Sequence, residues 1–187
     1  MIRTLRSSLA LTALAALIPS TLQAQQVAVE PNTVTVTPFL SVSFGTPDDL
    51  GSSLGIGAAV AYDWTRNLGF EFEAARVFDV AGDTENLDWS LTNFSGNVIY
   101  HFDRVPRFTP YATFGLGWER SDLDFDDEAE DVDFDSSTEV AWSIGGGVKY
   151  PLTDRIVARA DLRRFQVNDE APDHWRLYGG LTFWIKR

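Results

Sequence analysis

The chain has 187 residues, no cysteine, and 27 acidic residues against 15 basic ones, a formal net charge of −12. That balance argues against nucleic acid as a partner, because a phosphate backbone demands a basic face. The absence of thiols means that an exported fold here relies on no disulfide. Aromatic residues reach 13 % with six Trp, and no later stretch approaches the about 18 consecutive apolar residues of a spanning helix, so any membrane crossing must be made by strands.

The first 24 residues (MIRTLRSSLALTALAALIPSTLQA) read as a secretory signal peptide. Arg3 and Arg6 form a basic start, Leu9 to Ile18 an apolar run too short to span, and Leu22-Gln23-Ala24 a small-residue cleavage site. Cleavage after Ala24 removes two arginines and no acid, taking the formal charge from −12 to −14. A short polar lead-in over 25–33 follows, and the rest, 34–187, reads as a barrel.

From Val34 onward the chain alternates. Val34, Val36, Pro38, Leu40, Val42 and Phe44 oppose Thr35, Thr37, Phe39, Ser41 and Ser43. After TPDDLGSS, Leu54, Ile56, Ala58, Val60, Tyr62 and Trp64 alternate with Gly55, Gly57, Ala59, Ala61 and Asp63. Thr65-Arg66-Asn67 is a tight turn into Leu68, Phe70, Phe72 and Ala74, opposite Gly69, Glu71, Glu73 and Ala75. The pattern blurs at Arg76–Val77, where a bulge is predicted. After a loop over 79–88, Trp89 to Phe102 forms a fourth strand. DRVPR turns into Phe108 to Trp118, and Val140 to Tyr150 returns. PLTDR then leads to a strand starting at Ile156, with Val157, Arg159, Asp161 and Arg163 on one face. Trp175, Leu177, Gly179, Leu181, Phe183 and Ile185 mark the last strand. A period of two over segments of about 9–11 residues fits strands that cross a bilayer at a tilt.

Eight strands with long and short connections in alternation predict an all-β, eight-stranded antiparallel up-and-down transmembrane β-barrel, its turns at one rim and its loops at the other. Charge sorts along the same division. The long segments 46–53, 79–88, 121–138 and 166–174 hold 18 of the 27 acids and no Lys or Arg, whereas Arg66, Arg104, Arg107 and Arg155 lie in short turns. Tryptophan follows suit, with Trp64 and Trp184 at the turn end and Trp89, Trp118, Trp142 and Trp175 near the loop end. Two belts of amphipathic rings are what two membrane interfaces select.

The second face of each strand is small or polar and is expected to line the lumen. Eight strands enclose a space just wide enough for side chains to fill. Glu71, Glu73, Asp161 and Asp63 would share it with Lys149, Arg159 and Arg163. Buried charges must be paired, so an internal salt-bridge network plugging the barrel is expected; the competing reading is a gated ion path.

The loop DLDFDDEAEDVDFD is nearly palindromic: Asp122, Asp124 and Asp126 alternate with apolar residues, as do Asp131, Asp133 and Asp135. An extended hairpin would crowd these carboxylates, and Ca²⁺ or Mg²⁺ would relieve their repulsion. The spacing does not match an EF-hand, since the sixth position is Asp127 or Ser136 and never Gly. A solvated acidic loop without any cofactor is the simpler reading. Leu123 and Phe125 are out of phase with Trp118, which predicts a bulge near Glu119–Ser121.

Chemistry is sparse. His101 points inward by parity, and His174 ends a loop near Asp169 and Asp173 with no serine in a recognisable setting, so it reads as solvated. No phosphate-binding loop or zinc motif occurs, and Gly145-Gly146-Gly147 lies within a strand, which reads as packing.

With the strands in place, YHFDRVPRFTPYATFGLGWE at 100–119 and GGGVKYPLTDRIVARADLRRF at 145–165 resemble the small outer-membrane β-barrel family of OmpA-, OmpX- and opacity-like proteins. The resemblance implies location in the outer membrane of a Gram-negative-type envelope and contact with its lipid and lipopolysaccharide. One departure is that Phe183-Trp184 is followed by Ile185-Lys186-Arg187, where such barrels commonly end on an aromatic residue. The function expected is a monomeric, non-enzymatic barrel with a structural or surface-interaction role. The alternatives are a narrow porin-like channel, a membrane-embedded enzyme, or a soluble lipocalin-type barrel.

Overall fold

The computed structural model describes residues 28–45, 52–78, 87–105, 107–125, 137–167 and 173–186. Eight strands close on themselves: β1 (Thr33–Phe44), β2 (Ser53–Asp63), β3 (Leu68–Val77), β4 (Leu87–His101), β5 (Thr109–Phe125), β6 (Ser137–Pro151), β7 (Ile156–Val167) and β8 (His174–Lys186). Every strand pairs antiparallel with its sequence neighbours, and β8 returns to β1. Following partners around the wall from Thr33 through Asp63, Gly69, Ile99, Thr113, Gly145, Arg163 and Arg176 leads back to β1 at Ser43, ten residues from the start. That stagger tilts the strands and fixes the lumen's width.

The two faces separate as the alternation demands. In β1 the threonines at 33, 35 and 37 are buried while Leu40 is 69 % exposed. In β5 Tyr111, Thr113 and Glu119 are buried, and Phe114 and Leu116 are 46 % and 57 % exposed. Polar, charged and small side chains predominate in the interior, with Phe39, Ile99, Phe165 and Tyr178 packed among them, and apolar ones coat the outside. This is the inverse of a soluble barrel and excludes the lipocalin alternative.

Two short turns share one device. Thr65 Oγ1 accepts hydrogen bonds from the Asn67 and Leu68 amides at 3.1 and 2.8 Å, and Thr153 Oγ1 does the same for Arg155 and Ile156 at 3.2 and 3.0 Å. A hydroxyl standing in for a backbone acceptor tightens a turn.

Several expectations are corrected. The β3 register runs unbroken through Arg76↔Thr92 and Val77↔Leu91, so no bulge lies there: Arg76 faces out, donating to Ser90 Oγ at 3.0 Å, and Val77 faces in. No bulge lies at Glu119–Ser121 either, because β4 and β5 pair without a shift from His101↔Tyr111 to Leu87↔Phe125. The register shift instead falls between Val34 and Thr35, against β8. Trp184 is not part of a belt. It follows the inward parity of Thr182 and packs against buried Val157. The lead-in is not merely polar either: Ala28 and Val29 are buried in that same cluster, at the turn end of the lumen. Asn32, in the left-handed region at φ 60°, turns the chain from this strap into β1. Its amide donates to Asp63 O, and its side chain accepts from the Tyr62 hydroxyl at 3.1 Å.

Candidate functional site

Strand parity places Glu71 and Glu73 on the inner face of β3 and Arg159, Asp161 and Arg163 on that of β7. In a closed eight-stranded wall these strands lie opposite each other, so their ion pairs span the lumen. Arg159 pairs with Glu71 and donates to Asp161 Oδ2 at 3.2 Å. Arg163 donates to Asp161 Oδ1 at 2.9 Å and to Glu71 Oε1 at 3.0 Å, and its Nη1 lies 3.2 Å from Glu73 Oε2. All five side chains are fully buried. Lys149 is buried on the same interior face, but its ammonium sits toward the turn end, 5.9 Å from the Tyr111 ring centroid.

Three participants were not singled out in the sequence. Arg176 of β8 pairs with Glu73. Tyr111 donates to Asp161 Oδ2 at 2.5 Å and accepts from Arg159 Nε at 2.7 Å. Tyr178 donates to the same carboxylate oxygen at 3.0 Å and accepts from Arg163 at 2.9 Å. The completed layer holds three carboxylates (Glu71, Glu73, Asp161) and three guanidiniums (Arg159, Arg163, Arg176), so it is neutral as a unit. Tyrosine rings wall it in: Arg159 lies 4.9 Å from the Tyr111 centroid and 5.3 Å from that of Tyr178. The signal was present, since Arg176 alternates with outward Trp175 and Leu177. Alternation does not tell which inward residues meet across the lumen.

Glycines make room where these groups press on the wall. A Cβ at Gly147 would stand 2.5 Å from the Tyr111 hydroxyl, and one at Gly69 would stand 2.7 Å from Asp63 Oδ1. Toward the turn end, His101 Nδ1 lies 3.9 Å from Asp63 Oδ1, with both residues buried. Toward the loop end, His174 lies 3.7 Å from Glu119 Oε1 and stacks on Phe165 with centroids 5.0 Å apart. His174 is therefore not a solvated loop residue: it opens β8 on the inner face, where the wall buries it.

At the outer rim Arg164 and Gln166 donate to Asp173 Oδ2 at 3.1 and 3.2 Å. Burial pushes the Asp173 carboxyl up, but these bonds, the Val167 backbone and the Arg164 charge outweigh it and hold the group below the ordinary carboxylate range.

Asp126, Asp131, Asp133 and Asp135 lie outside the described residues, and of Asp122 and Asp124 only the backbone, in β5, is described. Among the described residues no group of three or more His, Asp or Glu is placed to hold a metal ion.

A closed, lipid-coated wall around an ionic interior defines an outer-membrane β-barrel. The chain belongs to the family described as outer membrane protein beta-barrel domain, whose model matches residues 10–182. It is a protein of the cell outer membrane. No curated protein sequence matches it. Among solved structures it is similar to Neisserial surface protein A, with 17 % identity and a TM-score of 0.67, covering 80 % of this chain and 96 % of that one. The N-terminal barrel of Pseudomonas aeruginosa OprF gives 21 % identity and a TM-score of 0.58, covering 82 % and 98 %. Ail, the attachment invasion locus protein of Yersinia pestis, gives 14 % and 0.54, covering 81 % and 97 %. At these identities the likeness is one of fold.

Proposed function

We propose that the protein is a closed, non-enzymatic barrel with a structural and surface-interaction role. The observation that carries this reading is the charge-neutral layer of three carboxylates and three guanidiniums bridging β3 to β7 and β8 across the lumen. An ion crossing here has to displace groups whose charges are already compensated, and separating a buried pair costs about 3–5 kcal/mol. Planar-bilayer recording of the refolded protein tests the reading: no persistent wide pore is expected, and a stable large conductance would overturn it.

The exposed function then falls to the loops. Their concentration of acids and lack of Lys and Arg favour cationic partners, or lipopolysaccharide phosphates bridged by divalent cations. Ail has been crystallised with the heparin analogue sucrose octasulfate; for the present chain, acidic loops of the same sign disfavour such a polyanion. Export through cleavage after Ala24 belongs to the same reading, because the strap at Ala28 then begins close to the new N-terminus.

A second reading, a narrow conduit, has one observation in its favour. Inward polar atoms lack protein hydrogen-bond partners on both sides of the ionic layer, among them both Asp63 carboxylate oxygens and the His101 ring nitrogens on one side and Ser41, Ser43 and Ser95 hydroxyls on the other.

A further inference from the structure

Two concave features sit one above the other on the turn-end half of the wall, and the ionic layer uses neither. The upper one is a depression of about 580 Å³ on the outward face, lined by Val60, Tyr62, Phe70, Phe72, Gly96 and Val98. It exists because Gly96 stands in register between Phe72 and Leu116, leaving a gap in an otherwise bulky row. A Cβ at Gly96 would meet nothing nearer than Leu116 O at 4.0 Å, so no packing demand explains this glycine. The lower one is a cleft of about 570 Å³ at the rim, between the strap, whose Ala28 and Val29 form part of its wall with Thr109, and the segments 66–67 and 102–104. Arg66, Arg104, Glu30, Asp103, Asn67 and Phe102 line it. The two are joined along the outer wall. Leu68 and Tyr100 pair one outward row below Phe70 and Val98, and Phe102 packs edge-on against Tyr100 at 5.2 Å.

The lower cleft presents two guanidiniums and two carboxylates at the boundary between membrane and water. A purely anionic ligand would meet Glu30 and Asp103, and a purely cationic one would meet Arg66 and Arg104. A zwitterion satisfies both pairs: arginine suits a phosphodiester, and carboxylates accept hydrogen bonds from a primary ammonium but receive none from a quaternary one. An apolar path climbs from that cleft to a gap in the lipid-facing row, which is where an acyl chain attached to such a head group would lie. We propose that this surface binds one phospholipid of the leaflet at the turn end, its phosphate on Arg66 and Arg104, its primary amine on Glu30 and Asp103, and one chain in the depression at Gly96.

Native mass spectrometry of the refolded barrel with phosphatidylethanolamine, phosphatidylcholine or phosphatidylglycerol tests the site. One phosphatidylethanolamine is expected to be retained about tenfold more strongly than the other two, a difference of about 1.4 kcal/mol. Arg66→Ala with Arg104→Ala, and separately Gly96→Leu, are expected to lower retention of phosphatidylethanolamine at least tenfold while heat-modifiable migration on a gel is preserved. Equal retention of the three lipids, a preference for phosphatidylglycerol, or retention unchanged in both variants would overturn the proposal, as would displacement by inorganic phosphate alone. Should a variant fail to fold, competition on the wild type decides: soluble glycerophosphoethanolamine is expected to displace the lipid where glycerophosphoglycerol does not, and the reverse order refutes the site.

Discussion

Arg159 shows how much one side chain carries in this interior. It joins Glu71 on the far wall, Asp161 on its own strand and the Tyr111 hydroxyl from β5. Its removal leaves three buried carboxylates facing two guanidiniums, one negative charge uncompensated, so Arg159→Ala is expected to destabilise the barrel by about 3–5 kcal/mol, read by urea unfolding in lipid vesicles. It is not expected to open a wide pore, because Arg163 still bridges Glu71, Asp161 and Glu73. Arg159→Lys is expected to recover little, since a single ammonium cannot reproduce the planar fork that reaches three partners. Tyr111→Phe is the milder probe: it removes one donor to Asp161 and one acceptor for Arg159, a loss of about 1–3 kcal/mol in the same assay. Gly147→Ala drives a methyl against that hydroxyl and the wall behind it, and a cost of about 1–3 kcal/mol is expected.

At the scale of elements, the strap is the part with the least precedent in the chain's own alternation. Ala28 and Val29 reach buried positions against Val157 and Trp184, which draws Trp184 off the lipid interface and into the mouth of the barrel. Trp184→Ala is expected to loosen the strap, at less than the about 3–5 kcal/mol of a fully buried Trp because the ring is only partly covered. Limited proteolysis near the N-terminus, faster in the variant than in the wild type, is the check. Strands, their parity and the lumen charges of β3 and β7 were legible in the sequence because a period of two assigns every residue to a face. What alternation cannot supply is contact across the lumen, which depends on the ten-residue stagger around the wall. Arg176, Tyr111 and Tyr178 were therefore readable as inward residues and not as partners of Glu73 and Asp161. The same limit hid the strap, whose two apolar residues show no period. The predicted bulges failed for a different reason: at Arg76 a charged side chain on the outer wall finds Ser90 and the Phe78 ring as neighbours, so the register had no need to change.

The whole molecule divides its charge in a way that a soluble protein of pI 4.4 has no reason to do. Acids gather in the loops, arginines in the turns, and the described interior is bridged by one compensated ionic layer. With acids concentrated in the loop sequences, melting is expected to respond to ionic conditions. Ca²⁺ or Mg²⁺ binding at Asp122, Asp124, Asp126, Asp131, Asp133 and Asp135 predicts a rise in Tm that monovalent salt at equal ionic strength does not match. A simply solvated loop predicts the same modest response to both, through screening alone. All of this depends on which face of the wall meets lipid. Single-tryptophan variants in vesicles with brominated acyl chains measure that directly. Trp118 and Trp142, on the outer face, are predicted to be strongly quenched and Trp184, beneath the strap, to be spared; quenching of Trp184 with protection of the other two would contradict the account.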